Sequence, residues 1–306
     1  MKKLIEVLRE AETNKVAVGH FNVSDLAGAK AIFEAGWETG LPVIIGVSEG
    51  EREFIGVKTI ATLIKTWREA NDYPIFLNAD HTHSLEKIEE AVRAGFDAVL
   101  FDGSKLPFEE NLAITKKAVD LARSINPEIF VEGEVGYIGS SSAILKEAPE
   151  GAALSKEMFT TPEEALRFVK ETGVDALAPA VGNMHGMLEG MVSGDTKKRL
   201  DIDLISEIKK SANCFLVQHG GSGTADEDFV AGIKAGINIV HINTEIRLAW
   251  RRGIELGLSK NPTEVAPYKI LPEAVSAIKL IVKNRLALFS GEPRRPGDKV
   301  SGQLIF

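Results

Sequence analysis

The 306-residue chain reads as α/β, a single (β/α)8 TIM barrel with an additional C-terminal helix. Three observations predict this. Eight short apolar runs alternate with helical patterns, and no Pro/Gly/Ser-rich linker divides them. The runs are continuous rather than alternating, as expected of parallel strands buried on both faces. A helix–glycine–strand junction also recurs, at Gly40-Leu41-Pro42-Val43-Ile44, Gly95-Phe96-Asp97-Ala98-Val99, Gly173-Val174-Asp175-Ala176-Leu177 and Gly236-Ile237-Asn238-Ile239-Val240. A glycine at a helix C-terminus takes the left-handed conformation at least cost.

The elements follow in order. An amphipathic helix with acids inside it opens the chain over residues 1–10. Strands are expected near residues 17–23, 42–48, 75–81, 98–104, 129–136, 176–182, 214–221 and 239–244, with helices between. Ser84 can cap the helix that carries the stripe Leu85, Ile88 and Val92. Thr161-Pro162-Glu163-Glu164 offers an N-cap, a proline at N1 and an acid at N3, which is a capping box. A last helix spans roughly 272–289. The barrel domain is thus expected over 1–290, followed by a tail, 291–306, rich in Pro, Gly and charge, which is expected to be disordered or to pack on a partner subunit.

Composition narrows the function classes. Hydrophobic residues make up 44% and charged residues 26%, the balance of a soluble enzyme. The net charge, 36 minus 44, is −8, which argues against nucleic acid or an anionic membrane as the main partner. It leaves room for a phosphorylated substrate, because a few focused donors hold a phosphate on an acidic protein. The single cysteine, Cys214, sits among apolar neighbours and reads as a core residue. The opening helix is no secretory segment, and no apolar run approaches the roughly 18 residues of a membrane span, so the chain is expected to be cytoplasmic.

The chemistry is marked by histidines at strand ends. His81 ends the third strand, His185 follows the sixth and His219 ends the seventh. In a barrel those ends share one rim, where three imidazoles form a zinc site with an open coordination position. His83 reads as a loop or helix-start residue, and His20 as facing the barrel interior or its rim. Asp80 precedes His81, and strand alternation aims its side chain differently, toward substrate rather than metal. Glu132 and Glu134 point to one side of the fifth strand, and Asp102 ends the fourth. After strands seven and eight come His219-Gly220-Gly221-Ser222-Gly223-Thr224 and Asn243-Thr244, where this fold usually builds its phosphate cradle. Metal, acid and phosphate cradle together suggest chemistry on a phosphorylated carbonyl compound.

At this point the chain resembles the class II, metal-dependent ketose-bisphosphate aldolases. The resemblance rests on Gly19-His20-Phe21-Asn22-Val23, Gly46-Val47-Ser48-Glu49-Gly50, Ala79-Asp80-His81 and Pro107-Phe108-Glu109-Glu110-Asn111. It continues through Val131-Glu132-Gly133-Glu134-Val135-Gly136, Leu177-Ala178-Pro179-Ala180-Val181-Gly182-Asn183-Met184-His185-Gly186, His219-Gly220-Gly221-Ser222-Gly223 and Asn243-Thr244-Glu245. It implies reversible aldol cleavage of fructose 1,6-bisphosphate, with zinc on His81, His185 and His219, and Glu134 and Asp102 as ligands of an alternate or second position. Asp80 would be the acid/base at the C4 hydroxyl. Gly186, Gly220, Gly221, Ser222, Asn243 and Thr244 would contact the dihydroxyacetone phosphate half, with Asn22 and Ser48 nearby. The resemblance also implies a homodimer or homotetramer and a monovalent cation, Na+ or K+, near the phosphate.

Three departures stand out. Tyr137-Ile138-Gly139-Ser140-Ser141-Ser142 carries no acid where the family has one, so the loop base falls to Glu147, with Glu150 behind it. His241 replaces a usual asparagine and is expected to touch substrate or fill the barrel mouth. The arginine that grips the second phosphate does not align. The alternatives are another ketose, such as tagatose bisphosphate, a zinc hydrolase barrel, or a barrel that binds without turnover. The hydrolase needs a second histidine at the first strand's end, and His20 lies inside that strand.

Overall fold

In the computed structural model, which describes residues 2–291, eight parallel strands close into one barrel. They are β1 (Val18–Asn22), β2 (Val43–Val47), β3 (Ile75–Thr82), β4 (Ala98–Phe101), β5 (Phe130–Val135), β6 (Ala176–Pro179), β7 (Phe215–Gln218) and β8 (Ile237–Ile242). Each pairs with its sequence neighbours, and β8 closes on β1 in the register His20↔His241. All eight expected runs are strands, although β8 begins earlier than its expected start. The glycines of the recurring junction cap their helices with positive φ, +71° at Gly40, +94° at Gly95, +77° at Gly173 and +134° at Gly236. Ser84 accepts from the Lys87 N–H at 3.2 Å, and Thr161 and Glu164 form their capping box.

Alternation along the strands sorts two cores. Phe21, Ile45, Leu77, Val99, Val131, Leu177, Leu216 and Val240 face outward and join the helices in the main core. Val18, Ile44, Phe76, Ala98, Phe130, Ala176, Val217 and Ile239 face inward at the barrel floor, where helix α1 (Leu4–Thr13) plugs them with Leu4, Val7, Leu8 and Ala11. Two residues further along several of these strands the inward positions become polar, as at His20, Asn78, Glu132, His219 and His241, all buried. Gly46 takes the same layer because a Cβ there would stand 2.0 Å from the His20 ring.

The last helix, Pro272–Phe289, packs against the helices Thr244–Lys260 and Leu26–Thr39. Outside the barrel, Ile144–Leu145 pairs with Met187–Leu188 in a two-stranded ribbon too short to leave a periodicity in the sequence. Beyond Gly291 the expected tail lies outside the described residues. Among the described residues no helix is long and apolar enough to cross a membrane. Cys214 is half-buried against the main core, and burial pushes its thiol up to about 12, which removes it from nucleophilic chemistry.

Candidate active site

The site begins with a bend at the end of β3. Regular alternation would send Asp80 and His81 to opposite sides of the strand, but His81 has φ +43°, a left-handed conformation rare for a side-chain-bearing residue. The β3–β4 register shifts there, between Ala79 and Thr82. Arg52, 2% exposed, holds the bend by donating to the carbonyls of Val47 (2.7 Å) and Asp80 (3.1 Å) and to the Thr82 hydroxyl (3.0 Å). Both side chains therefore enter the barrel mouth, with His81 Nε2 3.8 Å from Asp80 Oδ1. The expectation that they diverge is corrected by this strained turn, and Arg52 went unnoticed in the sequence.

Four side chains converge beside Asp80. One ligand atom each from His81, Glu134, His185 and His219 lies within 4.8 Å of the others. Carboxylates orient two of the rings from behind. Asp102 is paired with His81 Nδ1 at 2.8 Å, and Glu132 with His219 Nε2 at 2.6 Å. That leaves His81 Nε2 and His219 Nδ1 facing each other at 3.2 Å. His185 Nε2 and both Glu134 oxygens are buried without a hydrogen-bond partner. Unpaired buried donors and acceptors are costly, and a nitrogen–oxygen set with carboxylate-braced imidazoles fits a divalent cation. Asp102 stands one step further back, with its other oxygen accepting from the Ser104 N–H and hydroxyl at 3.0 and 2.7 Å.

The charges within this cluster conflict. Burial, then the Asp102 charge, pushes the Glu134 carboxyl up to about 8. Burial and the neighbouring rings hold His185 well below the usual histidine range. His81 goes the other way, because Asp80, Asp102 and Glu134 overcome the cost of burying its charge. A bound dication would reconcile these demands by favouring ionised carboxylates and neutral rings together.

Asp80 is 2% exposed, and the Asn22 amide donates to its Oδ2 at 2.8 Å. Burial opposes its ionisation, but the charges on His81, His20 and His219 and the Asn22 amide hold it below the usual carboxylate range. His241 Nδ1 lies 3.6 Å from Asp80 Oδ1, and its ring stacks on His20 at 3.4 Å between centroids. His20 itself meets the Asn78 amide at 3.2 Å inside the barrel. His83, by contrast, is exposed.

The cavity that Asn22 and Asp80 line is also walled by Gly186, Gly220, Ser222, Asn243 and Thr244. Gly220 has φ +60°, and a Cβ there would lie 2.2 Å from the Met184 carbonyl, so only glycine brings the two loops this close. The Gly221 N–H donates to the His241 carbonyl at 3.0 Å, tying the cradle to β8. Behind it Arg285, on the last helix, grips the Glu245 carboxylate at 2.8 and 2.9 Å, and Glu245 accepts from the Gly223 N–H at 3.0 Å. The C-terminal helix is thus part of the cradle's support.

Some expected residues sit elsewhere. Ser48 caps the helix Glu49–Ile55, with Glu51 accepting from its N–H at 2.8 Å, and it does not line this cavity. The loop after β5 reaches the cavity through Ser142, while Glu147 is exposed and stands off the wall. Arg247 Nη1 approaches the Ser142 carbonyl at 3.5 Å, and its Nη2 pairs with Glu51 at 2.8 Å, placing near the rim a guanidinium that no motif in the sequence marks.

A closed parallel barrel with such a cluster at the C-terminal ends of its strands is the architecture of a metal-dependent barrel enzyme. Residues 2–293 match the family model of fructose-bisphosphate aldolase class-II, and the chain belongs to that family. It is 34% identical over 287 residues to a fructose-bisphosphate aldolase of Geobacillus stearothermophilus, covering 93% of this chain and 95% of the relative. A fructose-bisphosphate aldolase of Staphylococcus aureus is also 34% identical, over 292 residues, with 94% and 97% covered. The crystal structure of the YdjI aldolase from Escherichia coli K12 superposes with a TM-score of 0.79 at 26% identity, covering 97% of this chain and all of that one. The chain is therefore a class II aldolase, a metal-dependent carbon–carbon lyase.

Proposed function

We propose that the chain reversibly cleaves fructose 1,6-bisphosphate into dihydroxyacetone phosphate and glyceraldehyde 3-phosphate. The observation that carries this is the set of unpartnered ligand atoms on His185 and Glu134, converging beside Asp80 in a cavity that the glycine-rich cradle also lines. Zn2+ is the proposed metal, held by His81, His185 and His219, with Glu134 as a further donor and Asp102 orienting His81. When bound, it supplies a Lewis acid for a carbonyl oxygen and for the negative charge that develops there.

The chain's own groups do the rest. The phosphate of the dihydroxyacetone half rests on Gly186, Gly220, Gly221, Ser222, Asn243 and Thr244, at the N-terminus of the helix that follows β8. Asn22 fixes the Asp80 carboxylate, which takes the proton of the C4 hydroxyl. The C3–C4 bond then breaks, the aldehyde leaves, and the electron pair stays on the dihydroxyacetone half. Glu147 returns a proton to C3 after its loop closes. The His241 Nε2, buried without a partner, contacts a substrate hydroxyl or phosphate. This histidine also favours a second reading, cleavage of another phosphorylated ketose such as tagatose bisphosphate. A homodimer or homotetramer is supported by exposed Leu256, Leu258, Val265 and Tyr268 on one stretch of chain.

The test is cleavage of fructose 1,6-bisphosphate with coupled detection of triose phosphate. Activity should vanish with chelator and return with zinc. Zinc-replete protein that cleaves tagatose bisphosphate but not fructose 1,6-bisphosphate would shift the proposal to the second reading.

A further inference from the structure

Directly behind the cavity wall lies an ammonium group surrounded by carbonyls. Lys198 is 4% exposed, and its Nζ donates to the backbone oxygens of Met184 (2.7 Å), Gly186 (2.6 Å), Gly220 (2.9 Å) and Ser222 (2.6 Å). The last three residues also line the cavity. An ammonium has three N–H bonds, so four oxygens at this range are gathered as they are around a small spherical cation, partly by charge alone. A neutral amine has two donors and would aim a lone pair at an oxygen, so the geometry calls for the charged form. Burial does push this ammonium down, to about 7, with Glu245 opposing. Glu245 is itself committed to Arg285, which leaves the Lys198 charge largely uncompensated beside the cradle.

The main chain of Lys198 is tied to the same loop. Its N–H donates to the Gly223 carbonyl at 2.9 Å, and its carbonyl accepts from the Ala225 N–H at 3.2 Å. The ammonium thus clamps the loop carrying His185 and Gly186 to the loop carrying Gly220 and Ser222.

We propose that the Lys198 ammonium is a built-in monovalent cation. It holds the two cradle loops in register and supplies the positive field for the substrate phosphate, so the enzyme needs no free Na+ or K+ at this point. This deepens the aldolase reading and rests on it for the substrate. Lys198 is a positioning residue, acting through the carbonyls of Met184, Gly186, Gly220 and Ser222, and it replaces the diffusible cation that the family resemblance implies.

The experiment compares zinc-loaded wild type, Lys198→Ala and Lys198→Met in potassium, ammonium or tetramethylammonium chloride at equal ionic strength. Cleavage kinetics and melting temperature are both read. Wild type should be indifferent to the salt in both readouts. In tetramethylammonium, Lys198→Ala should lose at least about tenfold in kcat/KM, mostly through KM, because the two cradle loops lose their clamp and the phosphate loses the positive field behind them. Potassium or ammonium entering the vacated cradle should restore much of that loss and raise the melting temperature. Lys198→Met, whose side chain blocks the cradle, should lose activity without rescue. Activation of wild type by potassium, or a Lys198→Ala variant equally impaired in every salt, would overturn the proposal. If fructose 1,6-bisphosphate is not a substrate, the melting arm still decides, since stabilisation of Lys198→Ala but not wild type by potassium needs no turnover. If Lys198→Ala does not fold in any salt, wild type carries the test: indifference to potassium sustains the inference and activation ends it.

Discussion

The two ends of the barrel are built from the same eight strands and differ in almost everything else. At the floor, inward positions are Val18, Ile44, Phe76, Phe130, Val217 and Ile239, sealed by Leu4, Val7, Leu8 and Ala11. At the mouth, inward positions on the same strands are Asn22, Asp80, Glu134 and His219, and several of their atoms have no partner. The floor saves free energy by burying apolar surface. The mouth gives some of it back by burying charges, bending β3 at His81 and leaving donors unpaired. A strand can be optimised for stability at its start and for chemistry at its end because its residues are rigidly spaced, so the strained end is supported by the packed one.

This contrast can be broken most sharply at Asp80. Asp80→Asn should lower kcat by about a thousandfold, in the range for a lost general acid/base, while the melting temperature changes little. A variant that keeps most of its turnover would show that the proton at C4 is handled elsewhere. The complementary change is at the floor. Leu8 is fully buried, and Leu8→Ala should cost about 3 kcal/mol in denaturant unfolding with kcat and KM unchanged. A fall in kcat without a change in zinc content would mean that floor and mouth are coupled. The smallest expected effect tests the loop. Glu147→Gln should lower kcat by about a hundredfold if Glu147 closes over the site, and unchanged turnover would sink that role.

How much of this was legible in the sequence depended on whether a signal was local. Strands buried on both faces must be apolar runs, helix ends need left-handed glycines, and so all eight strands could be read in order. His81, His185 and His219 could be brought together on paper because a barrel places every strand's C-terminal end on one rim. The resemblance implies Ser48 near the substrate, but the residue after a strand is also where the next helix needs a cap, and that need is met there. The resemblance implies Asp102 as a ligand of an alternate or second position, whereas in the structure its carboxylate pairs with His81 Nδ1. Lys198 carried no signal at all. In Lys197-Lys198-Arg199 it looks like one charge of a solvated run, and its neighbours are indeed exposed.

The sequence by itself determined the alternation of strand and helix, the barrel and the identity of the three histidines, since periodicity and capping are properties of neighbouring residues. Only the tertiary structure decided which donors remain unpaired, that β3 bends so Asp80 and His81 share the mouth, and that Arg52, Lys198 and Arg285 stand behind the reacting groups. Those outcomes depend on where long side chains end: Arg52 and Lys198 reach backbone carbonyls, and Arg285 reaches the Glu245 carboxylate, which the closed barrel brings to them from distant parts of the chain.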